Sequence, residues 1–257
     1  MGSDSRSARI RVLVAEQAAR RGTRIGVVDV CTAAVAALPV GGAGLSAMSR
    51  TTASHPLCST DHISARLEEL QLTLGEGPCV EAFARGSAVL TPDLLTVELQ
   101  DHWAVFADAA LEAGARAVFS LPLQMGAISP GVLDLYADTP TVLDTEELAD
   151  ALAFADLATL LLLDARIDAT GAPTGAPTDG PVPDPGFEDL GAYRAEIDQA
   201  SGMLTVQLGV GIDEAFVLLR AHAYARGRRL ADVAADVVAR RLRFPPDAEP
   251  EQAEEAT

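Results

Sequence analysis

Apolar residues recur at helical or alternating spacing over most of the chain, and this pattern predicts its elements. Residues 8–20 and 26–40 have apolar positions at helical intervals, and Pro39 ends the second segment. The run GAGLSAMS, residues 42–49, then predicts a strand. In residues 61–75 one helical stripe of apolar side chains follows Asp61, which is a suitable N-cap; the stripe is Ile63, Leu67, Leu70 and Leu74.

Two strands and a long helix are predicted further along. ARAVFSLPLQ (115–124) and GVLDLYAD (131–138) are strand candidates separated by a turn that contains glycine. Residues 144–166 form an Ala- and Leu-rich helix that begins at the turn signal VLDTEE. Helices at both ends of a run of strands favour an α+β domain with one antiparallel sheet.

The segment from Leu160 to Leu163 is apolar around most of its helix, which is more than one packed face requires. A second subunit could bury the excess, which predicts a homodimer. The domain's own sheet could bury it equally well, and periodicity does not separate the two readings.

A composition change divides the chain. Residues 168–187 are rich in Gly, Pro, Thr and Asp and predict an extended linker between a domain at 1–167 and a three-helix domain at 188–244. In the last helix of that domain, apolar positions continue from Leu230 to Leu242 before Pro245 ends the pattern. Residues 245–257 are acidic and contain proline, which predicts a disordered tail.

Charge separates these regions further. The net charge is −18, with 11 Arg against 24 acids before residue 188, 8 against 8 in residues 188–244, and 5 acids alone in the tail. Only the three-helix domain therefore lacks an excess of acids. All 19 basic residues are arginine, and the absence of lysine excludes P-loop, kinase-type and Schiff-base chemistry.

Other enzyme and metal signatures are also missing from the sequence. No GxSxG or HExxH motif occurs, and three cysteines without a CxxC pair argue against structural zinc. We therefore expect no catalysis, no cofactor and no metal. No apolar run approaches the roughly 20 residues that span a bilayer, and the first residues offer no signal-type stretch, so we expect a cytoplasmic protein without a membrane partner.

Four arginines and a histidine lie together in RAHAYARGRRL, residues 220–230. Arg220 lies inside a predicted helix, where a cation gains little from the helix dipole, and Arg226, Arg228 and Arg229 surround Gly227. Guanidinium groups pair with phosphates and stack on unpaired bases, so these four arginines are candidate RNA-binding residues. Arg240, Arg241 and Arg243 lie at a helix end, where complementing the dipole accounts for them.

Two parts of the chain resemble a known family. LEELQLTLGEGPCVEAFARGSAVLTPDL (67–94), HWAVFADAALEAGARAVFSLPLQMG (102–126) and GVLDLYAD are similar to the GAF domain of bacterial GAF-ANTAR regulators. Residues 197–238 resemble the ANTAR domain, an RNA-binding antitermination module, through an ordered spacing of Ala200, Gly202, Leu204, Ala215, Leu219, Arg220, Leu230 and Ala234.

The resemblance implies a function. In this family a dimeric regulator holds a small ligand or receives a signal at the GAF domain, and its ANTAR domains bind paired hairpins in nascent RNA, which prevents a terminator from forming. The ligand is unknown. Cyclic nucleotides are disfavoured, since their GAF motif needs Asn and Lys, and this chain has neither.

The sequence departs from the family pattern at three positions. The usual QAKG reads Gln199, Ala200, Ser201 and Gly202, so a cation on the first helix is missing; Ala223 and Gly227 replace a serine and an asparagine. Fewer phosphate contacts weaken binding and flatten its salt dependence. The alternative function is therefore a dimer that senses small molecules or binds proteins and does not contact nucleic acid.

In the first domain, two residues are candidates for ligand or redox chemistry. Cys79 follows Pro78 at a predicted helix start, where the dipole favours a thiolate, although a buried structural cysteine is the alternative. His102, beside Trp103, could contact a ligand or simply pack. Gly75 and Gly77 are interpreted as turn formers, and the carboxylates of Glu68 and Glu69 as a solvated helix face.

Overall fold

The computed structural model describes residues 3–48, 55–171 and 185–244. The chain forms two compact units, Met1–Leu190 and Gly191–Thr257, called here the N-terminal and C-terminal units. Of the predicted linker at 168–187, residues 172–184 lie outside the described residues, as does the predicted tail at 245–257. The helix before the linker continues to Gly171, and the helix after it begins at Pro185.

The N-terminal unit is built on a sheet with the strand order β2-β1-β5-β4-β3, in which every neighbouring pair is antiparallel. Its elements in chain order are α1 (Ser3–Arg21), α2 (Val27–Ala37), β1 (Gly42–Ala47), β2 (His55–Ser59), α3 (His62–Leu74), α4 (Pro78–Arg85), β3 (Val89–Thr91), α5 (Val97–His102), α6 (Ala104–Ala113), β4 (Ala117–Met125), β5 (Ile128–Ala137) and α7 (Thr145–Gly171). The predicted α+β class with one antiparallel sheet is confirmed.

Both faces of this sheet are covered. Alternate residues of β4 and β5, such as Phe119 and Leu135, point to a core shared with α1, α2 and α7. Their neighbours Val118 and Tyr136 belong to a second core, with Trp103 and Phe106 on the side of α3 and α6. The three central strands β1, β5 and β4 are mostly buried as a result, so a polar residue in the buried part of these strands requires a partner.

Local signals set the ends of two helices as the sequence predicts. The carboxylate of Asp61 accepts hydrogen bonds from the backbone N–H groups of Ile63 and Ser64, both 2.8 Å long, and so begins α3. At α7, Asp144 accepts from the N–H groups of Glu146 and Glu147, and the Glu147 carboxylate accepts from the Asp144 N–H in return.

The sequence left open whether the leucines at 160–163 of α7 are buried within the domain or against a second subunit. Leu162 is buried in the core, but Leu160 is 40% exposed. The N-terminal unit therefore covers only part of this apolar segment within the described residues.

The C-terminal unit contains α8 (Pro185–Leu208) from Gly191 onward, together with α9 (Ile212–Ala225) and α10 (Leu230–Val238). Apolar residues from all three helices are buried, among them Ile197, Leu204, Leu219, Leu230 and Val237. In the described part of the chain no single helix is long and apolar enough to cross a membrane; α8 and α9 together meet those limits only as a pair bent by 106°.

Two helices of this unit end in the same hydrogen-bonding motif. After α9, the N–H of Arg228 donates to the Ala223 carbonyl at 2.9 Å, and Gly227 has a φ of +57°. After α10, the N–H of Arg241 donates to the Asp236 carbonyl at 2.8 Å, and Arg240 has a φ of +59°. Both are Schellman motifs.

The prediction that the last helix continues towards Pro245 is wrong. The chain leaves the helix after Val238, because Arg240 adopts the left-handed conformation that closes this motif. Arginine does not favour that conformation, so the apolar pattern alone could not show the early end.

Candidate nucleic-acid interface

The turn between α9 and α10 brings three of the predicted RNA-binding arginines together. Arg226, Arg228 and Arg229 are all exposed, and Gly227 supplies the left-handed residue that reverses the chain between them. These three residues are called the arginine turn. Arg226 and Arg229 make no ion pair with any described residue, so their charges face solvent.

Arg228 differs from its two neighbours because it already has an acidic partner. Its guanidinium donates to the Asp236 carboxylate at 2.7 Å, and Arg241 donates to the other oxygen of the same carboxylate at 2.7 Å. These hydrogen bonds lower the pKa of Asp236, and the one from Arg228 has the larger effect. One carboxylate thus holds two arginines at the surface and offsets part of their charge.

Arg220 lies within α9, six residues and roughly 9 Å along the helix axis before Arg226. Its side chain is half-buried, and its guanidinium carbon lies 5.6 Å from the centroid of the Phe216 ring. Burial lowers the pKa of Arg220, although arginine stays charged in proteins. The contact with Phe216 orients the cation.

The environment of His222 shows the sign of the local field. Burial, then the charges of Arg226 and Arg228, lower the pKa of this imidazole. His222 also packs on Phe244, with ring centroids 5.0 Å apart. Because His222 is neutral at pH 7, the arginines alone determine the positive character of this end of the unit.

Ser201 stands at the position where the family has lysine. The residue is buried, with 4% of its surface exposed, and its hydroxyl has no hydrogen-bond partner among the described residues. Position 201 therefore lies on the buried side of α8 in this chain and supplies no cation to the surface.

A second polar site lies inside the N-terminal unit, and the sequence interpretation missed it. Glu68 on α3 is 3% exposed and Asp134 on β5 is 4% exposed. The prediction that Glu68 and Glu69 form a solvated helix face is wrong, since Glu69 is also buried at 6% exposed. A usable signal was Asp134, a charged residue inside an otherwise apolar strand.

Hydrogen bonds to this carboxylate pair come from three elements. The Ser46 hydroxyl of β1 donates to Glu68, and the Ser120 hydroxyl of β4 donates to Asp134. Gln71 of α3 donates its amide N–H to Asp134 at 2.9 Å. The second oxygen of Glu68, Oε1, has no partner among the described residues.

This arrangement favours a protonated carboxyl group. Burial, then the charge of Asp134, raise the pKa of Glu68 well above its ordinary value, and burial raises the pKa of Asp134 as well. Two carboxylates in one buried site do not both ionise readily. The pair accordingly holds a proton through a range of pH in which exposed carboxyl groups are ionised.

Cys79 and His102 lie in different environments. Cys79 is in the first turn of α4 and 2% exposed; burial, then the charges of Asp134 and Glu68, raise the pKa of its thiol. This direction is opposite to the one that its place at a helix start favours. His102 is half-exposed, with its Nε2 atom 2.5 Å from Glu81 and its ring 4.8 Å from that of Trp103.

The two glycines before Cys79 act as turn formers in the structure. Gly75 ends α3 with a φ of +68°, and Gly77 precedes α4 with a φ of +122°.

Among the described residues, no group of three or more His, Cys, Asp or Glu side chains could hold a metal ion.

The C-terminal unit matches a known family. Residues 191–238 match the family model described as the ANTAR domain. The match covers most of α8 together with α9, the arginine turn and α10, and confirms the ANTAR half of the predicted architecture. ANTAR domains are regulatory domains. No curated protein is a significant match to the chain.

The N-terminal unit is similar to solved structures that cover 59–65% of this chain. Two are GAF domains of phosphoenolpyruvate-protein phosphotransferases, from Acinetobacter (12% identity, 95% of that chain) and Coxiella burnetii (13% identity, 98% of that chain), each with a TM-score of 0.46. A third is a type II free methionine-R-sulfoxide reductase from Thermoplasma acidophilum (14% identity, 96% of that chain, TM-score 0.40). The antiparallel sheet and its flanking helices agree with the predicted GAF-like fold.

Proposed function

We propose that this protein is a signal-responsive, RNA-binding regulator of transcription antitermination. One observation supports this most directly: the ANTAR match at residues 191–238 contains an exposed arginine turn. Arg226 and Arg229 present charges that no described residue neutralises. Such cations favour RNA hairpins, which display phosphates and unpaired loop bases.

In this proposal the N-terminal unit is the sensor and has no catalytic step. A signal or small ligand that binds one arrangement of the protein more tightly shifts the population towards it. The regulated step is the pairing of two C-terminal units on hairpins of a nascent transcript, which places the protein in the cytoplasm.

A homodimer follows from the need for two RNA-binding modules. Support comes from large apolar side chains that stay exposed on two helices of the N-terminal unit. Val12 of α1 is 57% exposed, and Leu152 and Leu160 of α7 are 42% and 40% exposed. Apolar surface of this kind is commonly buried between subunits.

The test is binding of the full chain to an RNA that carries two tandem hairpins, measured across a salt series. We expect affinity to fall as salt rises, because each phosphate contact releases counterions. The double substitution Arg226→Ala with Arg229→Ala should weaken binding and lower the slope of log K against log salt by roughly one to two.

A matched control is the double substitution Arg11→Ala with Arg24→Ala, which removes two exposed arginines of the N-terminal unit. It has the same change in net charge, and we expect binding close to that of the unchanged chain. If the unchanged chain does not bind at low salt, or if the control loses as much affinity as the arginine-turn variant, the RNA proposal fails. The first outcome would favour the dimer that binds proteins or small molecules only.

A further inference from the structure

A groove on the C-terminal unit lies between α8 and the residues that follow α10. This open groove has a volume of about 710 Å³, which is within the roughly 300–1,000 Å³ typical of ligand pockets. Its apolar lining comes from Met203, Val206, Val237 and Leu242, and polar groups of Gln199, Gln207, Arg240 and Arg243 also face it. No carboxylate lines the groove among the described residues. An anionic partner therefore meets only cations and neutral groups there.

The groove is wide where it meets α8 because Gly202 has no side chain. Glycine inside a helix is unfavourable relative to alanine, and packing does not require it here, since a Cβ atom at position 202 would meet no heavy atom within 4 Å. Close approach of another molecule is a common reason for such a glycine. Beside it, Val206 is 87% exposed, an apolar side chain that the unit itself leaves uncovered.

The opposite wall of the groove depends on an unusual backbone conformation. Arg240 is the one non-glycine residue with a positive φ within the described ranges 3–48, 55–171 and 185–244. Strained residues of this kind often belong to binding sites. The left-handed turn at Arg240 directs the chain back, so that Leu242 and Arg243 line the groove with Arg240.

We propose that this groove binds one unpaired nucleobase of an RNA, with Arg240 and Arg243 on the phosphates that flank it. The inference rests on the proposed function and extends it to a specific site whose lining residues are not those of the arginine turn. The apolar lining suits the face of a base, and the exposed amide of Gln199 can donate to or accept from a base edge. The two guanidinium groups supply the charge complementarity.

The test compares two synthetic RNA hairpins that differ only in the loop. One has an adenosine loop, and the other has abasic sugars in the same loop, so that both present the same phosphates. For the full chain we expect about tenfold tighter binding of the adenosine loop, in the range that one contacted base contributes. The substitution Gly202→Leu fills the groove, and this preference should disappear.

Two further variants separate the groove from general effects. Val206→Ser removes the exposed apolar side chain of the groove and should reduce the preference for the adenosine loop. Val217→Ser is the matched control, because Val217 is also exposed, at 56%, but lies on α9 outside the groove. The control should keep the full preference, and circular dichroism should show unchanged helix content in all three variants.

The possible outcomes distinguish this inference from the function on which it rests. Equal binding of the two hairpins by the unchanged chain, or an unchanged preference in both groove variants, overturns the base site and leaves RNA binding intact. No binding of either hairpin at low salt overturns both proposals. Two other outcomes would also overturn the base site. If the groove variants lose self-association in sedimentation and keep the loop preference, the groove binds a second copy of the chain. If every groove variant binds both hairpins more tightly, the groove binds the acidic tail of the chain.

Discussion

The two units place their charged groups in opposite ways. The N-terminal unit buries Glu68 and Asp134 between its sheet and α3, and the described residues that donate hydrogen bonds to them are serines and a glutamine. The C-terminal unit exposes Arg226, Arg228 and Arg229 at a helix end. Buried carboxyl groups respond to protons, and exposed cations respond to salt. The net charge of −18 therefore predicts the behaviour of neither unit.

A change of pH gives the largest expected effect, and it concerns the N-terminal unit. Because burial raises the pKa of Glu68 in the folded state, the folded chain holds its proton more tightly than the unfolded chain. The stabilisation is present below the unfolded pKa and is lost as pH rises through the folded pKa. Glu68→Gln removes this ionisation and should stabilise the unit at pH 8 by about 1–3 kcal/mol.

Urea unfolding followed by Trp103 fluorescence measures this effect, since the chain has one tryptophan and it lies in the core of the N-terminal unit. The control is Glu112→Gln, on the exposed surface of α6, for which we expect unfolding midpoints like those of the unchanged chain. A Glu68→Gln variant whose stability falls with rising pH as steeply as that of the unchanged chain would contradict the shared proton.

The two Schellman motifs of the C-terminal unit give an intermediate effect. Gly227→Ala places a side chain in the left-handed region and should cost about 1 kcal/mol, whereas Arg240→Gly relieves the same strain and should stabilise the end of α10 by a similar amount. Amide hydrogen exchange in α9 and α10 measures both, and 1.4 kcal/mol corresponds to a tenfold change. Changes of the same sign in the two variants would contradict this account.

The smallest expected effect concerns the carboxylate that faces the arginine turn. Asp236→Asn removes the charge that Arg228 and Arg241 share, so RNA affinity should rise several-fold, with a steeper salt dependence. Binding across a salt series measures the change. Asp232→Asn is the control: that residue is also acidic and on α10, but only its backbone carbonyl contacts Arg228. An equal gain in both variants would indicate a general charge effect.

The sequence predicted the elements that depend on local signals. The N-cap of α3 at Asp61, the start of α7 after Asp144 and the main strands all agree with the structure. The error at Glu68 has a physical cause. A stripe of apolar residues implies one buried face, but α3 packs between strands β1 and β2 on one side and α6 on another, so its polar residues are enclosed too.

The candidate interface was only partly predictable for a similar reason. Spacing showed that Arg226, Arg228 and Arg229 surround a glycine, and the structure brings them together. The pairing of Arg228 with Asp236 joins residues across a turn, so it depends on how α10 leaves that turn. The groove beside Gly202 depends on a left-handed arginine, which sequence propensity does not predict.

Gln71 joins the buried carboxylates to the start of α4. Its amide N–H donates to Asp134, and its amide oxygen accepts the N–H of Cys79 at 2.7 Å. The two ends of this planar amide therefore have different partners. If the amide rotated by half a turn, its NH2 group would face the N–H of Cys79 and its oxygen would face the carboxylate of Asp134, so both hydrogen bonds would be lost. The side-chain amide resonances of this one glutamine would consequently report, in a single spectrum, both the ionisation inside the domain and the position of the neighbouring helix.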